Sequence, residues 1–294
     1  MTRVLLLDTY SLFFRAFFAL PPMTTVAGRP TSAIYGFSVL LLKLIREERP
    51  LGLAFALDAP QATFRHAASP TYKAQRATAP DPLRQQLAVL PRLLEAVGAP
   101  AVVAPGFEAD DVLATQARAL TAQGRATRIV TGDRDLFQVV GHGVDVLFLG
   151  ARGQKPIVYD LEAIARRYGL TPEQLPLRTA LVGDVSDNLP KVPGIGDKTA
   201  ETLARRFGDA ATLLTRLDDV TPLAVRETLR GAAAQIRQTE QLARLRYDVP
   251  LPEGPLFTAL DPEAIGRIRS LFVELEFGSL LPRLDQILVG YFNP

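Results

Sequence analysis

The chain opens with VLLL at 4–7, four apolar residues without alternation, followed by an acid, Asp8. A short continuous apolar run closed by a polar residue predicts a strand buried on both faces. LGLAFALD (51–58) repeats the pattern and ends on Asp58. APAVVAP (99–105) reads as a third short strand, and ATRIVTGDRD (126–135) as a fourth that runs out into Asp133 and Asp135. Between the strands the period lengthens. SLFFRAFFAL (11–20) reads as a helix stopped by Pro21 and Pro22. TSAIYGFSVLLLKLIREE (31–48) is a longer helix with Thr31 or Ser32 as its cap, and LRQQLAVLPRLLEAVG (83–98) is another.

Residues 59–82 break this rhythm. They are rich in Pro, Ala, Thr and basic residues and carry little periodicity, which predicts a long excursion off the domain. Loops of this length are usually functional or disordered. From about residue 175 the strand signals fade, and helical pattern runs to about 285. The expected fold class is α/β: a largely parallel central sheet with helices on both faces over 1–174, then a helical region over 175–294. No low-complexity linker separates the two, so they are expected to pack together.

Composition narrows the chemistry. Hydrophobic residues make up 48% of the 294, enough for a large core. The apolar start meets Asp8 too early for a signal-peptide core, and no apolar run reaches bilayer-spanning length, so no membrane partner is expected. Cysteine is absent, which excludes disulfides, thiolate zinc sites and cysteine nucleophiles and fits a reducing cytoplasm. With only His66 and His142 to offer imidazole, a metal site here must be built from oxygens, the ligands of magnesium or manganese.

The acids supply such a set. Asp8, Asp58, Asp133 and Asp135 stand at predicted strand C-termini. In PGFEADDVLA (105–114), Glu108, Asp110 and Asp111 crowd three carboxylates into four residues, one short loop after the third strand. In an open parallel sheet all of these fall on the edge where ligands bind. Asp184 and Asp187 of GDVSDN, three apart, share one face of a helical turn. Any one strand-end Asp is ordinarily a turn or cap residue, and acids in a first helical turn complement its dipole. Nine carboxylates converging on one edge are another matter, because they repel unless cations sit among them. Two divalent ions about 4 Å apart remove the conflict, bridge a phosphate and lower the pKa of bound water. Setting the nine aside leaves 22 acids against 33 Lys and Arg, so the rest of the chain carries +11. A basic body around an acidic pocket suits a polyanion cut at metal ions.

Two further stretches point the same way. In PKVPGIGDKTA, Gly194 and Gly196 flank Ile195, and Lys198 and Thr199 open a helix. Glycines permit close backbone approach, and a helix N-terminus presents free N–H groups to a phosphate. This is a helix-hairpin-helix pattern, at about 184–208, that grips one DNA strand by its backbone without reading sequence. A plain helix–helix turn with a glycine cap is the bland alternative. The excursion carries Arg65, His66, Tyr72, Lys73 and Arg76; basic residues interleaved with an aromatic suit a single-stranded end, by phosphate contact and base stacking.

The stretches LLLD, RAFFALPPMTT, GRPTSAIYGF, FRHAASPTYKAQRA, GFEADDVLA, TGDRDLFQ, GDVSDNLPKVPGIGDKTA and LEFGSLL occur in this order between about residues 3 and 285. Together they resemble the 5′-nuclease family, which holds the 5′→3′ exonuclease domain of bacterial DNA polymerase I, its stand-alone bacterial and phage relatives, and flap endonucleases. The resemblance implies a PIN-like nuclease fold with a C-terminal helix-hairpin-helix. It implies a structure-dependent 5′→3′ exonuclease or 5′-flap endonuclease of DNA replication and repair, acting at a 5′ end, flap or nick. The nine acids would hold two or more Mg2+ ions, with Mn2+ as substitute, and Asp110 would be catalytic. The excursion would be the arch or clamp through which a 5′ end passes. Lys73 and Arg76 would be its phosphate-steering cations, with Arg65 at its base. A monomer in the bacterial cytoplasm, associated with the nucleoid, is expected. Thr9 stands where the family commonly has glycine, but no carboxylate is lost. No polymerase domain follows, so the expectation is a stand-alone nuclease or the excised front of a polymerase. The rival readings are a DNA-junction module without chemistry and a dehalogenase-type phosphatase. The latter needs a second acid two residues after the first, where Tyr10 stands.

Overall fold

The computed structural model describes residues 2–150 and 153–292. Its centre is one sheet of six strands. β1 (Val4–Asp8) lies in the middle; β2 (Gly52–Ala56) and β3 (Ala101–Val102) extend it on one side, and β4 (Thr127–Thr131), β5 (Val144–Phe148) and β6 (Ile157–Tyr159) on the other, in the order β3-β2-β1-β4-β5-β6. Pairing is parallel from β3 through β5, and β6 runs antiparallel to β5. The chain therefore leaves β1 in one direction and returns on its other flank at β4. In an open α/β sheet that reversal opens a crevice at the carboxyl ends of the strands.

The four expected strands are present. β5 and β6 are additional, and the reason is local. β5 carries an acid mid-strand, Asp145, which breaks the apolar run; the strand tolerates it because Arg128 on β4 binds both its carboxylate oxygens, at 2.6 and 2.9 Å.

Alternation along β1 sorts the two faces. Leu5 and Leu7 join one apolar cluster, while Val4 and Leu6 join the other. The first face is covered by α1 (Thr9–Ala19) and α2 (Ser32–Glu48). The expected excursion contains α3 (Phe64–Ala68), a run of turns to residue 76, and α4 (Asp81–Leu87). α5 (Leu90–Val97) then returns to the α2 face with the stripe Leu90, Leu93, Leu94 and Val97 and ends at Gly98, φ 74°. One helix was expected over 83–98; Pro91 cannot donate a backbone hydrogen bond back to the preceding turn, so two helices form instead.

α6 (Ala109–Ala122) crosses to the Val4 face. α7 (Leu161–Tyr168), α8 (Leu175–Val182), α9 (Asp197–Phe207), α10 (Ala210–Thr215), α11 (Leu223–Gly231) and α12 (Ala233–Ala243) follow. Leu177, Leu203 and Ile236 share one apolar cluster with Val4 and Ala114, so sheet and helical region have a common core. The helical region expected over 175–294 is nevertheless not one body. α13 (Pro262–Glu274) and α14 (Leu281–Phe292) return to the opposite face, where Ile265, Ile268, Phe272, Leu284 and Ile287 pack with the α2 and α5 side chains. No helix among the described residues is long and apolar enough to cross a membrane.

Candidate active site

The end of β1 delivers Asp8, buried, to the crevice. Thr131 at the end of β4 donates its hydroxyl to Asp8 at 2.6 Å and accepts the backbone N–H of Asp133 at 2.8 Å. Asp133 in turn accepts the N–H of Asp135 at 2.9 Å. One threonine thus ties the acids of two strands into a single chain of hydrogen bonds. Asp58, exposed after β2, accepts the N–H of Ala109 at 2.8 Å and so caps the start of α6, which carries Asp110 into the same space. Asp8, Asp58, Asp110 and Asp133 line one cavity of about 350 Å³, with Tyr10, Ser11, Lys73 and Arg76. A second cavity of about 390 Å³ begins at Asp135 and takes in Asp184, Arg134, Arg167 and Arg178. Asp184 is set by its own turn, accepting from the Ser186 hydroxyl at 2.5 Å and from the Ser186 and Asp187 amides at 2.7 and 3.2 Å.

These carboxyls burden one another. Burial pushes Asp8 up to about 7, with Asp133 and Asp58 adding to the shift and the Thr131 hydrogen bond opposing it. Asp110 is raised well above the usual carboxylate range by burial, then by Asp133 and Asp8. Burial and the charges of Asp187 and Asp184 also raise Asp133, and burial with Asp133, Asp187 and Asp184 raises Asp135. The side chains of Asp110 and Asp135 accept no hydrogen bond among the described residues.

This donor chemistry fits hard divalent cations: the donors are all oxygens, and at Asp8, Asp110, Asp133 and Asp135 burial and like charge burden the carboxylate. Asp8, Asp58, Asp110 and Asp133 face one cavity; Asp135 and Asp184 face the next. Among the described residues, however, no three such side chains are drawn together closely enough to hold an ion as they stand. Part of the reason is that Glu108, Asp111 and Asp187 are committed to cations of the chain itself.

That commitment corrects three expectations. Arg65, expected to touch DNA, is 2% exposed. It binds both oxygens of Asp111, at 2.6 and 2.9 Å, lies 3.2 Å from Glu108, and donates to the carbonyls of Leu242 and Arg244. A guanidinium so enclosed has no donor left for a phosphate. Asp111, expected beside a metal, is fully buried; it also accepts the N–H groups of Glu108 and Arg246 and lies outside both cavities. Tyr72, expected to stack on bases, is 2% exposed, packed with Leu189, Leu242 and Ala243, its hydroxyl on Glu108 and Asp187. The excursion is accordingly folded against the acids rather than standing off the domain. Its apolar anchors are single residues separated by polar ones, which periodicity does not register. The crowding of three acids in PGFEADDVLA is thus relieved in part by Arg65 and Lys73, and Asp110 alone of the three lines the first cavity.

Lys73 and Arg76 line the first cavity, Lys73 mostly buried and Arg76 half-exposed. In the hairpin between α8 and α9, Gly194 sits at φ 75°, a conformation that requires glycine. Gly196 has an ordinary φ of −100°, and a Cβ there would meet nothing within the protein. Lys198 is exposed and Thr199 half-buried in the first turn of α9. Reading the sequence alone missed Tyr10, Ser11 and Arg134 as cavity-lining residues. Arg134 was visible in GDRD, between two acids, while Tyr10 and Ser11 had no signal beyond following Asp8.

The family model described as "5'-3' exonuclease, N-terminal resolvase-like domain" matches residues 3–169, and that described as "5'-3' exonuclease, C-terminal SAM fold" matches 170–263. The thermostable DNA polymerase I of Thermus thermophilus is 43% identical over 279 residues, and the DNA polymerase I of Mycobacterium bovis 39% over 293; they cover 95% and 99% of this chain. The chain spans only about a third of the length of these relatives. Among solved structures, the T5 D15 protein co-crystallised with metal ions superposes at TM-score 0.68 with 17% identity, covering 99% of this chain and 98% of that one. The catalytic core of Rad2 in complex with DNA substrate superposes at 0.62, also with 17% identity, covering 99% and 92%. Such distant likenesses establish the fold, but the two family models together span most of the described chain. The chain belongs to the 5'-3' exonuclease family.

Proposed function

We propose that this chain hydrolyses DNA phosphodiester bonds next to a 5′ end, flap or nick, with Mg2+ as cofactor and Mn2+ as substitute. The observation that carries the reading is the meeting of Asp8, Asp58, Asp110 and Asp133 in one cavity with Lys73 and Arg76 on its rim. Divalent ions on such carboxylates supply a hydroxide at neutral pH and neutralise charge on a phosphate. The chain's own part is positioning. The Asp8 carboxylate is held by the Thr131 hydroxyl and the Asp133 carboxylate by the Asp135 N–H, while Asp58 caps the α6 start that carries Asp110 into the cavity. Lys73 and Arg76 put positive charge on the same cavity, which supports a contact with the phosphates flanking the cut once these side chains leave Glu108 and Asp187.

The α8–α9 hairpin supports a second contact on the duplex. Gly196 is the N-cap of α9 and has open space where a Cβ would stand, which leaves room for a DNA backbone to approach. Exposed Lys198 stands two residues on. The three nearby arginines of the second cavity keep that side of the acids basic. Fluorescence-labelled 5′-flap DNA tests the reading directly. Cleavage near the junction is expected with Mg2+ or Mn2+ and none in excess EDTA; full cleavage in EDTA would end the divalent-ion proposal. Tight flap binding without cleavage at any divalent ion would favour a junction-binding module instead.

A further inference from the structure

Residues 69–76 lie across the acids they are meant to serve. Lys73 Nζ is 2.9 Å from Glu108 Oε1 and 3.6 Å from Asp187 Oδ2. The Tyr72 hydroxyl is 3.0 Å from Glu108 Oε2 and 2.7 Å from Asp187 Oδ2. Arg76 Nη2 donates to Asp187 Oδ1 at 3.0 Å. All four carboxylate oxygens of Glu108 and Asp187 are therefore taken by three residues of one short segment.

The segment is also fastened by its backbone. Lys73 N–H donates to the Asp187 carbonyl at 3.1 Å, Asn188 Nδ2 to the Thr71 carbonyl at 2.7 Å, and Gln75 Nε2 to the Val185 carbonyl. Yet Lys73 is held at φ 53°, a left-handed conformation that disfavours a side chain with a Cβ. A strained residue persists where its surroundings hold it, and here what holds it is largely the carboxylates. An ammonium ion and a divalent ion cannot share Glu108 and Asp187 at contact distance without strong repulsion.

We propose that residues 69–76 form a latch: Lys73 and Tyr72 stand in for cations on Glu108 and Asp187, and a divalent ion entering there lifts the segment. This rests on the divalent-ion reading above. Ion loading and opening of the segment then become one event, and the Lys73 and Arg76 side chains are released toward the substrate when the ions that need a substrate have arrived. An ion that binds only the open state shifts the population by its differential affinity for the two states, and a residue that holds the closed state weakens the ion by the same factor.

The test uses Ca2+, so that binding is read without turnover. Hydrogen exchange of the 69–76 amides and calorimetric Ca2+ titration are measured on the whole chain, without DNA. In the parent protein, exchange in this segment is expected to quicken when Ca2+ is added. Lys73→Gln removes the competing charge and is expected to raise Ca2+ affinity roughly tenfold. Tyr72→Phe, which loses only a hydroxyl and keeps the packing, is expected to shift affinity in the same direction by a smaller factor and to quicken exchange before any ion is added. Ca2+ that binds while exchange at 69–76 stays level or slows would overturn the latch and leave the divalent-ion reading standing. Affinity that falls in both variants would overturn it as well. Absence of Ca2+ binding in the parent and in Lys73→Gln would remove the divalent-ion reading and the latch with it.

Discussion

Arg65 and Asp111 meet in a buried pair of hydrogen bonds, Nη1 to Oδ2 at 2.6 Å and Nη2 to Oδ1 at 2.9 Å, across 46 residues of chain. Through the carbonyls of Leu242 and Arg244 and the amide of Arg246, the same pair fixes α3, α6 and the exit of α12 to one another. Burial works against the Arg65 charge, but Asp111 and Glu108 outweigh it and raise its pKa, so it stays cationic. Removing one partner of such a pair costs about 3–5 kcal/mol, because the other is left buried and uncompensated. Arg65→Ala is expected to melt on the order of 10 °C lower than the parent in EDTA. Arg65→Lys should recover little, since an ammonium cannot make the forked contact. Calorimetric melting decides it: an Arg65→Ala protein that melts with the parent would mean the pair is not what joins the three segments.

Lys198 stands apart from the acids, exposed in the first turn of α9. Its expected role is one phosphate contact. Lys198→Ala should weaken flap binding and flatten the salt dependence of affinity by about one unit of slope. Turnover at saturating DNA should change less than about twofold, because the residue makes the same contact before and during the reaction. Binding titrations at four or five salt concentrations, with single-turnover rates, separate the two. A loss confined to the saturated rate would move Lys198 into the chemistry.

How the site was legible follows from these residues. The sheet edge could be read because Asp8, Asp58, Asp133 and Asp135 each close a run of buried apolar residues, and a parallel sheet sends such ends to one side. The hairpin could be read because glycines and a helix start leave a spacing. Ion pairs between distant segments leave none. Arg65 looked like a DNA contact because nothing in FRHAASPTYKAQRA says that a carboxylate 46 residues on will enclose it. Tyr72 looked like a stacking platform for the same reason, its apolar neighbours Leu189 and Leu242 being far along the chain. β5 was hidden by Asp145, whose partner Arg128 belongs to the adjacent strand. The return of α13 and α14 to the first face depends on which side of the sheet is still uncovered, a property of the assembled fold.

Asp8 gives the site a pH dependence of stability in the absence of divalent ions. Its carboxyl titrates near 7 in the folded protein against the ordinary 3.8. A raised carboxyl means that the folded state keeps a proton the unfolded chain has given up. The associated stabilisation is complete below about pH 4 and is lost as pH rises toward and through 7. Asp110, Asp133 and Asp135 shift in the same direction. Glu108 shifts the other way: burial alone would raise it, but Lys73 and Arg65 hold it below its ordinary value, so its contribution is lost as pH falls. The difference between parent and Asp8→Asn isolates the first effect. In EDTA the variant is expected to gain stability relative to the parent from pH 5 to about pH 7 and to level off by pH 8. Melting curves across that range check the sign; a difference that stays flat would mean that burial, Asp133 and Asp58 do not raise the Asp8 carboxyl.

Asp110 separates catalysis from folding within the acid cluster. It lies between Glu108 and Asp111, whose charges are balanced by Lys73 and Arg65, and its own side chain takes no hydrogen bond or ion pair among the described residues. What surrounds it is Asp133 and Asp8, and burial with their charges holds its pKa well above the usual range. A structural acid would have a donor; this one has burial and like charge that Lys73 offsets only in part, and a divalent ion would reverse the balance. Asp110→Asn keeps the size and removes the charge. Cleavage is expected to fall by at least about 10²–10³-fold, as when one preorganised electrostatic group is lost from a reaction centre. Flap affinity in Ca2+ is expected to hold or rise, since the substrate is an anion and the cavity has lost a negative charge. Melting in EDTA is expected to stay level or rise, because two like charges have lost a neighbour. Single-turnover cleavage, flap titration in Ca2+ and melting in EDTA, made on one preparation, test the three together. An active variant, or one that melts several degrees lower in EDTA, would show Asp110 to be part of the start of α6 and nothing more.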